Sequence, residues 1–259
     1  MKFARFAAGG KTYMGVVEDD LIREITGDLF TNWEYTGNTF HIKEVMLLAP
    51  LIPHEIIGIG ANYVAKQEQL PNELPEIPVF FFKPSSSVIG PEEEIVIPAG
   101  VDKVKFESEL AVIIGKEAKN VPESEVWQYV FGYTVANDVT APQFFHPDGH
   151  WTIGKSFDTF TPLGPVIETD LDPSSVYVKA RLNGVEKQNS PTKLMIIPIS
   201  KMIAYLTNVM TLKPGDVILT GSPVGAELVG AGDVIECEIA EIGTLRNTFV
   251  AAKERAKTC

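Results

Sequence analysis

The run from Lys105 to Val139 constrains the fold more than any other stretch of this chain. In Val104-Lys105-Phe106-Glu107-Ser108-Glu109-Leu110-Ala111-Val112-Ile113-Ile114, the residues Phe106, Leu110, Val112 and Ile114 share one parity. Side chains on a strand alternate between faces with a period of two. Glu107 and Glu109 therefore project together from the face opposite that apolar set. Like charges side by side on a strand repel unless something positive lies between them. Downstream, Pro122-Glu123-Ser124-Glu125-Val126-Trp127-Gln128-Tyr129-Val130 opens like a helix, with proline near the first turn and acids at the positive end of the helix dipole. The run 133–139 then reads as a second strand, with Asp138 near its far end. A strand–helix–strand crossover lays both strands in one sheet, often side by side, which brings Asp138 toward the glutamates. Three convergent carboxylates suit Mg²⁺ or Mn²⁺ better than zinc. On spacing alone, a solvated strand face with a turn aspartate is the better-supported reading, because Glu-x-Glu is common.

The rest of the chain divides into a small β-rich N-terminal unit over 1–50, a main domain over 51–252 and a frayed basic tail over 253–259. The first unit holds short strands near 2–7, 13–17 and 21–25, followed by less regular chain. Ile56–Gly60 and Val79–Phe82 read as buried strands. The polar connection 64–78 between them reads as a surface loop or a lid. Asn183-Gly184, between the runs 176–182 and 185–188, is a hairpin turn that favours positive φ. Apolar residues at 199, 202, 203, 206, 209 and 210 mark an amphipathic helix. Gly-Asp-Val-Ile at 215–218 recurs at 232–235, each copy turning the chain into a strand. Strands dominate, so the class is α+β on a β-rich core.

Several functions are disfavoured by composition. A chain of 259 residues, 45% hydrophobic and 22% charged, is that of an ordinary globular protein with a substantial core. No apolar run approaches the roughly 20 residues that span a bilayer. The stretch Met1-Lys2-Phe3-Ala4-Arg5-Phe6 lacks the features of a signal peptide, so a cytoplasmic protein without a membrane partner is expected. A net charge of −12 argues against nucleic acid. An anionic substrate would then need a local metal or lysine to reverse the field. Cys237 and Cys259 imply no disulfide framework. His146 and His150 are four apart, but Pro147 and Gly149 between them break the helix that a zinc pair would need.

Taken together, three long runs resemble the fumarylacetoacetate hydrolase superfamily. They are Lys105-Phe106-Glu107-Ser108-Glu109-Leu110-Ala111-Val112-Ile113-Ile114-Gly115, Gly132-Tyr133-Thr134-Val135-Ala136-Asn137-Asp138, and Gly154-Lys155-Ser156-Phe157-Asp158 through Pro165. Leu182-Asn183-Gly184, Leu212-Lys213-Pro214-Gly215-Asp216, Thr220-Gly221-Ser222-Pro223-Val224-Gly225 and Gly243-Thr244-Leu245-Arg246-Asn247 follow in the family's order. The resemblance covers roughly 55 to 250. It implies a mixed β-sandwich roll, usually a homodimer, and reverses the balance on the carboxylates: Glu107, Glu109 and Asp138 match the family's Mg²⁺ or Mn²⁺ ligands. Lys155 matches the lysine that reaches a substrate's developing oxyanion. Thr220, with the Gly221 backbone, matches a substrate carboxylate contact, and Tyr63 of the Asn62-Tyr63 motif is a further expected substrate contact. Substrates in the family carry a pyruvate-like or 1,3-dicarbonyl unit, and their cleavage, decarboxylation or tautomerisation passes through an enolate.

The chain also departs from that pattern. Hydrolysing members place a His and a Glu, three apart, on the lid to activate water. Here those positions are Lys66 and Gln69. Glutamine cannot take a proton, Lys66 would need a strongly lowered pKa to act as base, and Glu68 could substitute only if the lid shifted register. Pro142 stands where many members have an anion-binding Arg, a role that is lost or passes to His146 or Lys66. The expected function is metal-dependent C–C hydrolysis of a small keto-acid or dicarboxylic substrate of acylpyruvate or fumarylpyruvate type. Decarboxylation of oxaloacetate or isomerisation of a hydroxymuconate-type diacid is a close alternative. A catalytically impaired protein that binds metal and a small anion is the rival from another class.

Overall fold

A computed structural model describes residues 1–253. Five strands open the chain: β1 (Lys2–Ala8), β2 (Lys11–Glu18), β3 (Leu21–Gly27), β4 (Trp33–His41) and the short β5 (Met46–Leu47). Strands β1 to β4 form an antiparallel meander. Strand β4 corrects the expectation of less regular chain after Ile25. No apolar alternation marks it, because most of its side chains are exposed. Its place is set by β3, where Thr36 Oγ1 and Asn38 Nδ2 both donate to Glu24, at 2.8 and 2.7 Å.

The next strands are β6 (Ile56–Ile59), β7 (Phe80–Lys83), β8 (Val88–Ile89), β9 (Glu94–Ile97), β10 (Val104–Lys105) and β11 (Ser108–Ile114). They are followed by β12 (Val130–Asn137), β13 (Thr161–Glu168), β14 (Tyr177–Leu182) and β15 (Val185–Pro191). After helix α1 (Ile199–Val209) come β16 (Val217–Leu219), β17 (Leu228–Val229), β18 (Val234–Ile239) and β19 (Gly243–Ala251). The larger sheet runs β4-β3-β2-β1-β13-β12-β11-β16-β6-β7, with β5 on β1 and β8 on β13. A second sheet runs β15-β14-β18-β19-β9, and β10 pairs with β17. The pairs β16/β6, β13/β8 and β19/β9 are parallel, so both sheets are mixed. This is the β-rich α+β sandwich that the sequence implied. The N-terminal meander joins the larger sheet directly, through β1 on β13.

Strand β11 shows why its sequence is apolar at nearly every position. Leu110, Val112 and Ile114 enter the core between the sheets with Val178, Ile235, Leu245 and Phe249. Ala111 and Ile113 enter a second core with Phe3, Val16, Ile25 and Leu51. A strand buried on both faces reads as a continuous hydrophobic run. Strand β7 differs from its expectation: it is an edge strand, with Phe81 buried but Phe82 and the preceding Val79 exposed.

Two expected helices have different outcomes. The stretch after Pro122 is a short 3₁₀ helix, Glu123–Gln128, and no α-helix continues it. Helix α1 forms where the periodicity placed it and is the one α-helix among the described residues. No described helix is long and apolar enough to cross a membrane. The hairpin between β14 and β15 turns at Asn183 (φ 51°) and Gly184 (φ 78°), as a type I′ turn requires. The expected frayed tail lies, from residue 254 on, outside the described residues.

Cys237 on β18 is fully buried, and burial pushes its thiol up to about 12. Because the thiolate is the reactive form, it is expected to resist a disulfide reagent at pH 8 while folded and to react fully in denaturant. Mass mapping of the labelled peptides checks this residue separately from Cys259.

Candidate metal centre

The site depends on the direction of β12. A crossover would have made β11 and β12 parallel, leaving Asp138 at the Ile114 end of β11, away from the glutamates. Instead residues 115–129 return the chain, and the strands pair antiparallel, with Ser108 opposite Asn137 and Ala111 opposite Thr134. The same register continues past the strand ends. The Asp138 N–H donates to the Glu107 carbonyl at 2.8 Å, and Lys105 and Thr140 exchange N–H···O bonds of 2.8 and 3.0 Å. Glu107 thus faces Asp138 across the ladder. Glu109, two residues on and on the same face, lies opposite the small Ala136. The three side chains place carboxylate oxygens within 4.8 Å of one another.

Two buried lysines reach this cluster. Lys155, from the 3₁₀ turn Ile153–Lys155, donates from Nζ to Glu107 Oε2 at 2.9 Å and to Asp138 Oδ2. Lys83 belongs to none of the motifs that mark the site in the sequence. It closes β7 with Nζ 2.7 Å from Asp138 Oδ1 and donates to the Val139 carbonyl at 3.1 Å. The only sequence signal for it was a single charge ending the apolar run 79–82. Both lysines are almost completely buried, as are Glu109 and Asp138.

Their charges are interdependent. Burial pushes the Asp138 carboxyl up, but Lys155 and Lys83 outweigh it and hold the group below its ordinary value. Burial, reinforced by the charge of Asp138, raises Glu109 well above the usual carboxylate range. Burial also raises Glu107, against the pull of Lys155. Burial alone would lower Lys155, yet Asp138 and Glu107 raise it, so it is held as a cation. Burial lowers Lys83, opposed by Asp138.

These residues fit a hard divalent cation. The donors are all carboxylate oxygens, and three formal negative charges crowd within 4.8 Å of one another, which a divalent ion would relieve. Glu109 is fixed from behind, where its Oε2 accepts the Gly221 N–H at 2.7 Å.

The remaining expected site residues are placed differently. Thr220 Oγ1 donates to the Leu110 carbonyl at 2.8 Å, and the Gly221 N–H is taken by Glu109. Both donors are engaged within the protein in this arrangement. Tyr63 bridges Met195, and its buried hydroxyl has no hydrogen-bond partner. Burial raises that phenol, helped by the charge of Glu109. His146 is exposed, in a turn where its N–H donates to the His150 carbonyl at 2.8 Å, and it does not line the site. Lys66 and Glu68 are exposed at the short 3₁₀ turn Gln67–Gln69, also outside the lining. All three are exposed loop residues, and His146 Nδ1 accepts the Asp148 N–H at 3.2 Å within its own turn.

Gly221 combines a φ of +100° with close surroundings, since a Cβ there would lie 2.7 Å from Asn62 Cβ. Gly221→Ala is expected to cost roughly 1–3 kcal/mol, read as a lower melting temperature, and to disturb the N–H that holds Glu109.

The cluster lines a cavity of about 220 Å³, below the roughly 300–1,000 Å³ typical of drug-sized ligands. Phe81, Phe145 and Trp151 line it, together with Gly60, Lys105 and Ser222, none of which the sequence singled out as site residues.

Residues 55–250 match the family model described as fumarylacetoacetate (FAA) hydrolase C-terminal, and residues 1–50 match Rv2993c-like, N-terminal. The mitochondrial oxaloacetate tautomerase of Xenopus laevis is 41% identical over 221 residues, covering 80% of this chain and 69% of that protein. The crystal structure of a 5-carboxymethyl-2-hydroxymuconate delta-isomerase from Mycobacterium smegmatis is similar at TM-score 0.91 and 39% identity, over 97% of this chain and 100% of that one. A maleylpyruvate hydrolase from Sphingobium sp. SYK-6, in complex with manganese (II) ion and pyruvate, is similar at TM-score 0.82 and 32% identity, over 98% and 100%.

Proposed function

The chain belongs to the fumarylacetoacetate hydrolase family, and from that premise we propose a divalent-metal-dependent enzyme that tautomerises a small 2-oxo acid through an enolate. One observation carries the choice of reaction. The cavity holds groups that stabilise an oxyanion, and the lid positions from which hydrolysing members activate water do not line it. Among the described residues, apart from the three carboxylates and Lys155, its only titratable lining residue is Lys105, while Lys66 and Glu68 lie outside. The tautomerase and isomerase relatives support the same reading.

Glu107, Glu109 and Asp138 would hold the cation. When bound, Mg²⁺ or Mn²⁺ supplies Lewis-acid stabilisation of negative charge on a substrate oxygen. Lys155, kept protonated by Asp138 and Glu107, offers a fixed positive charge and donor to that charge as it develops; it is not a base. Lys83 and the Gly221 N–H hold Asp138 and Glu109 in place. The net reaction moves one proton between the third carbon and the 2-oxygen.

Hydrolysis of an acylpyruvate is the second reading, favoured by the likeness to a maleylpyruvate hydrolase. A panel of enolic oxaloacetate, an acylpyruvate and a hydroxymuconate-type diacid, each with Mg²⁺, Mn²⁺ or chelator and followed by ultraviolet absorbance, separates them. Metal-dependent ketonisation of oxaloacetate without cleavage or loss of CO₂ is expected. Cleavage of the acylpyruvate would replace the reading with hydrolysis, and CO₂ release from oxaloacetate would replace it with decarboxylation. Silence on all three with metal bound would leave a binding protein.

A further inference from the structure

Resting on that enolate reading, we propose that the substrates are 2-oxo monocarboxylic acids whose third carbon carries a planar, uncharged group, aryl or conjugated alkenyl. The group seats against an aromatic wall of the cavity. Phe145 and Trp151 stack, with ring centroids 5.4 Å apart and planes at 17°, and Phe81 lies 5.8 Å from Trp151. All three line the cavity, as do Ile59, Pro223 and Ala226, so much of its lining is apolar carbon.

Two cations line the cavity, and Lys155 Nζ lies 4.7 Å from the centroid of the Phe81 ring. Lys155 Nζ bonds Glu107 and Asp138, and Lys105 Nζ is 3.7 Å from Glu107 Oε1. No other lysine, arginine or histidine among the described residues lines the cavity. Both cations are engaged by Glu107 or Asp138, so a distal carboxylate over Phe145 and Trp151 would find no free counter-charge, whereas a flat apolar group would gain offset stacking and burial. The substrate's own carboxylate and 2-oxygen belong at the metal centre. The cavity volume limits the tail to a group of about one ring.

Trp151 is seated by Gly60. A Cβ at position 60 would overlap the Trp151 ring, so the absence of a side chain there is what lets the indole close the wall. Trp151 and Gly60 together are thus the specificity determinants. The reaction remains a redox-neutral proton shift: the C3–H bond breaks as the 2-oxygen gains its proton, or the reverse.

The test compares ketonisation of enolic phenylpyruvate and enolic oxaloacetate by the Mn²⁺-loaded protein and by its Trp151→Ala and Gly60→Ala variants, with melting curves to verify folding. Wild type is expected to favour phenylpyruvate in kcat/KM by about tenfold or more, and both variants to lose about tenfold of that ratio. A preference for oxaloacetate, or a ratio that survives both substitutions, would overturn the proposal and leave the enolate reading standing. If neither compound turns over, the enolate reading fails, and calorimetry on the Mn²⁺-loaded protein decides the wall separately. Tighter binding of phenylpyruvate than pyruvate, lost in Trp151→Ala, would support it. Equal affinities would overturn it.

Discussion

Lys155→Met is expected to lower turnover by roughly 100- to 1,000-fold while Mn²⁺ binds as tightly as before or more tightly. The two effects have one origin. Lys155 Nζ bonds both Glu107 and Asp138, so its charge competes with a cation for the same oxygens. Methionine keeps most of the length of the side chain and its packing beneath Phe81, whose ring centroid is 4.7 Å from Nζ, but removes the charge. The carboxylates then face a divalent ion with less competition, while a developing oxyanion loses its fixed donor. Calorimetric titration with Mn²⁺ and steady-state rates on the same preparations check both halves. Retained turnover would remove Lys155 from the chemistry, and a large loss of Mn²⁺ affinity would mean that it organises the carboxylates.

Asp138→Asn is expected to act in the opposite sense on metal, weakening Mn²⁺ binding by at least about 100-fold, and to destabilise the fold as well. Asp138 is the shared anion of Lys83 and Lys155, and all three are buried. Removing one partner from a buried ion pair costs about 3–5 kcal/mol, because the remaining charge is left uncompensated in a poorly solvating interior. For a chain of this size that is roughly a 10 °C fall in melting temperature. Added Mn²⁺ should raise the melting temperature of the wild type through mass action and do so far less for the variant. An unchanged melt together with undiminished Mn²⁺ binding would contradict the assignment of Asp138 as both ligand and counter-ion. Because Lys155→Met and Asp138→Asn share neighbours, their effects are not expected to add.

What the sequence determined by itself was local and periodic. Alternation placed Glu107 and Glu109 on one face of a strand, a 3.6-residue period located the helix from Ile199, and Asn183-Gly184 specified its turn through the positive φ that both residues tolerate. The motifs identified the family and carried Asp138 and Lys155 into the site. Other features were decided only in three dimensions. The antiparallel return of β12 brings Asp138 opposite Glu107, and it depends on how residues 115–129 pack, which no short-range pattern states. Lys83 becomes a site residue because β7 ends against Asp138; in sequence it is one charge after three phenylalanines. Thr220 and Gly221 are drawn inward by the carbonyl of Leu110 and the carboxylate of Glu109. The wall of Phe81, Phe145 and Trp151 gathers residues up to 70 positions apart, and a glycine at position 60 makes room for it. Hydrogen bonding along a strand and side-chain alternation are written in neighbouring residues. Charge compensation and cavity shape belong to residues that meet only when the sheets close over one another.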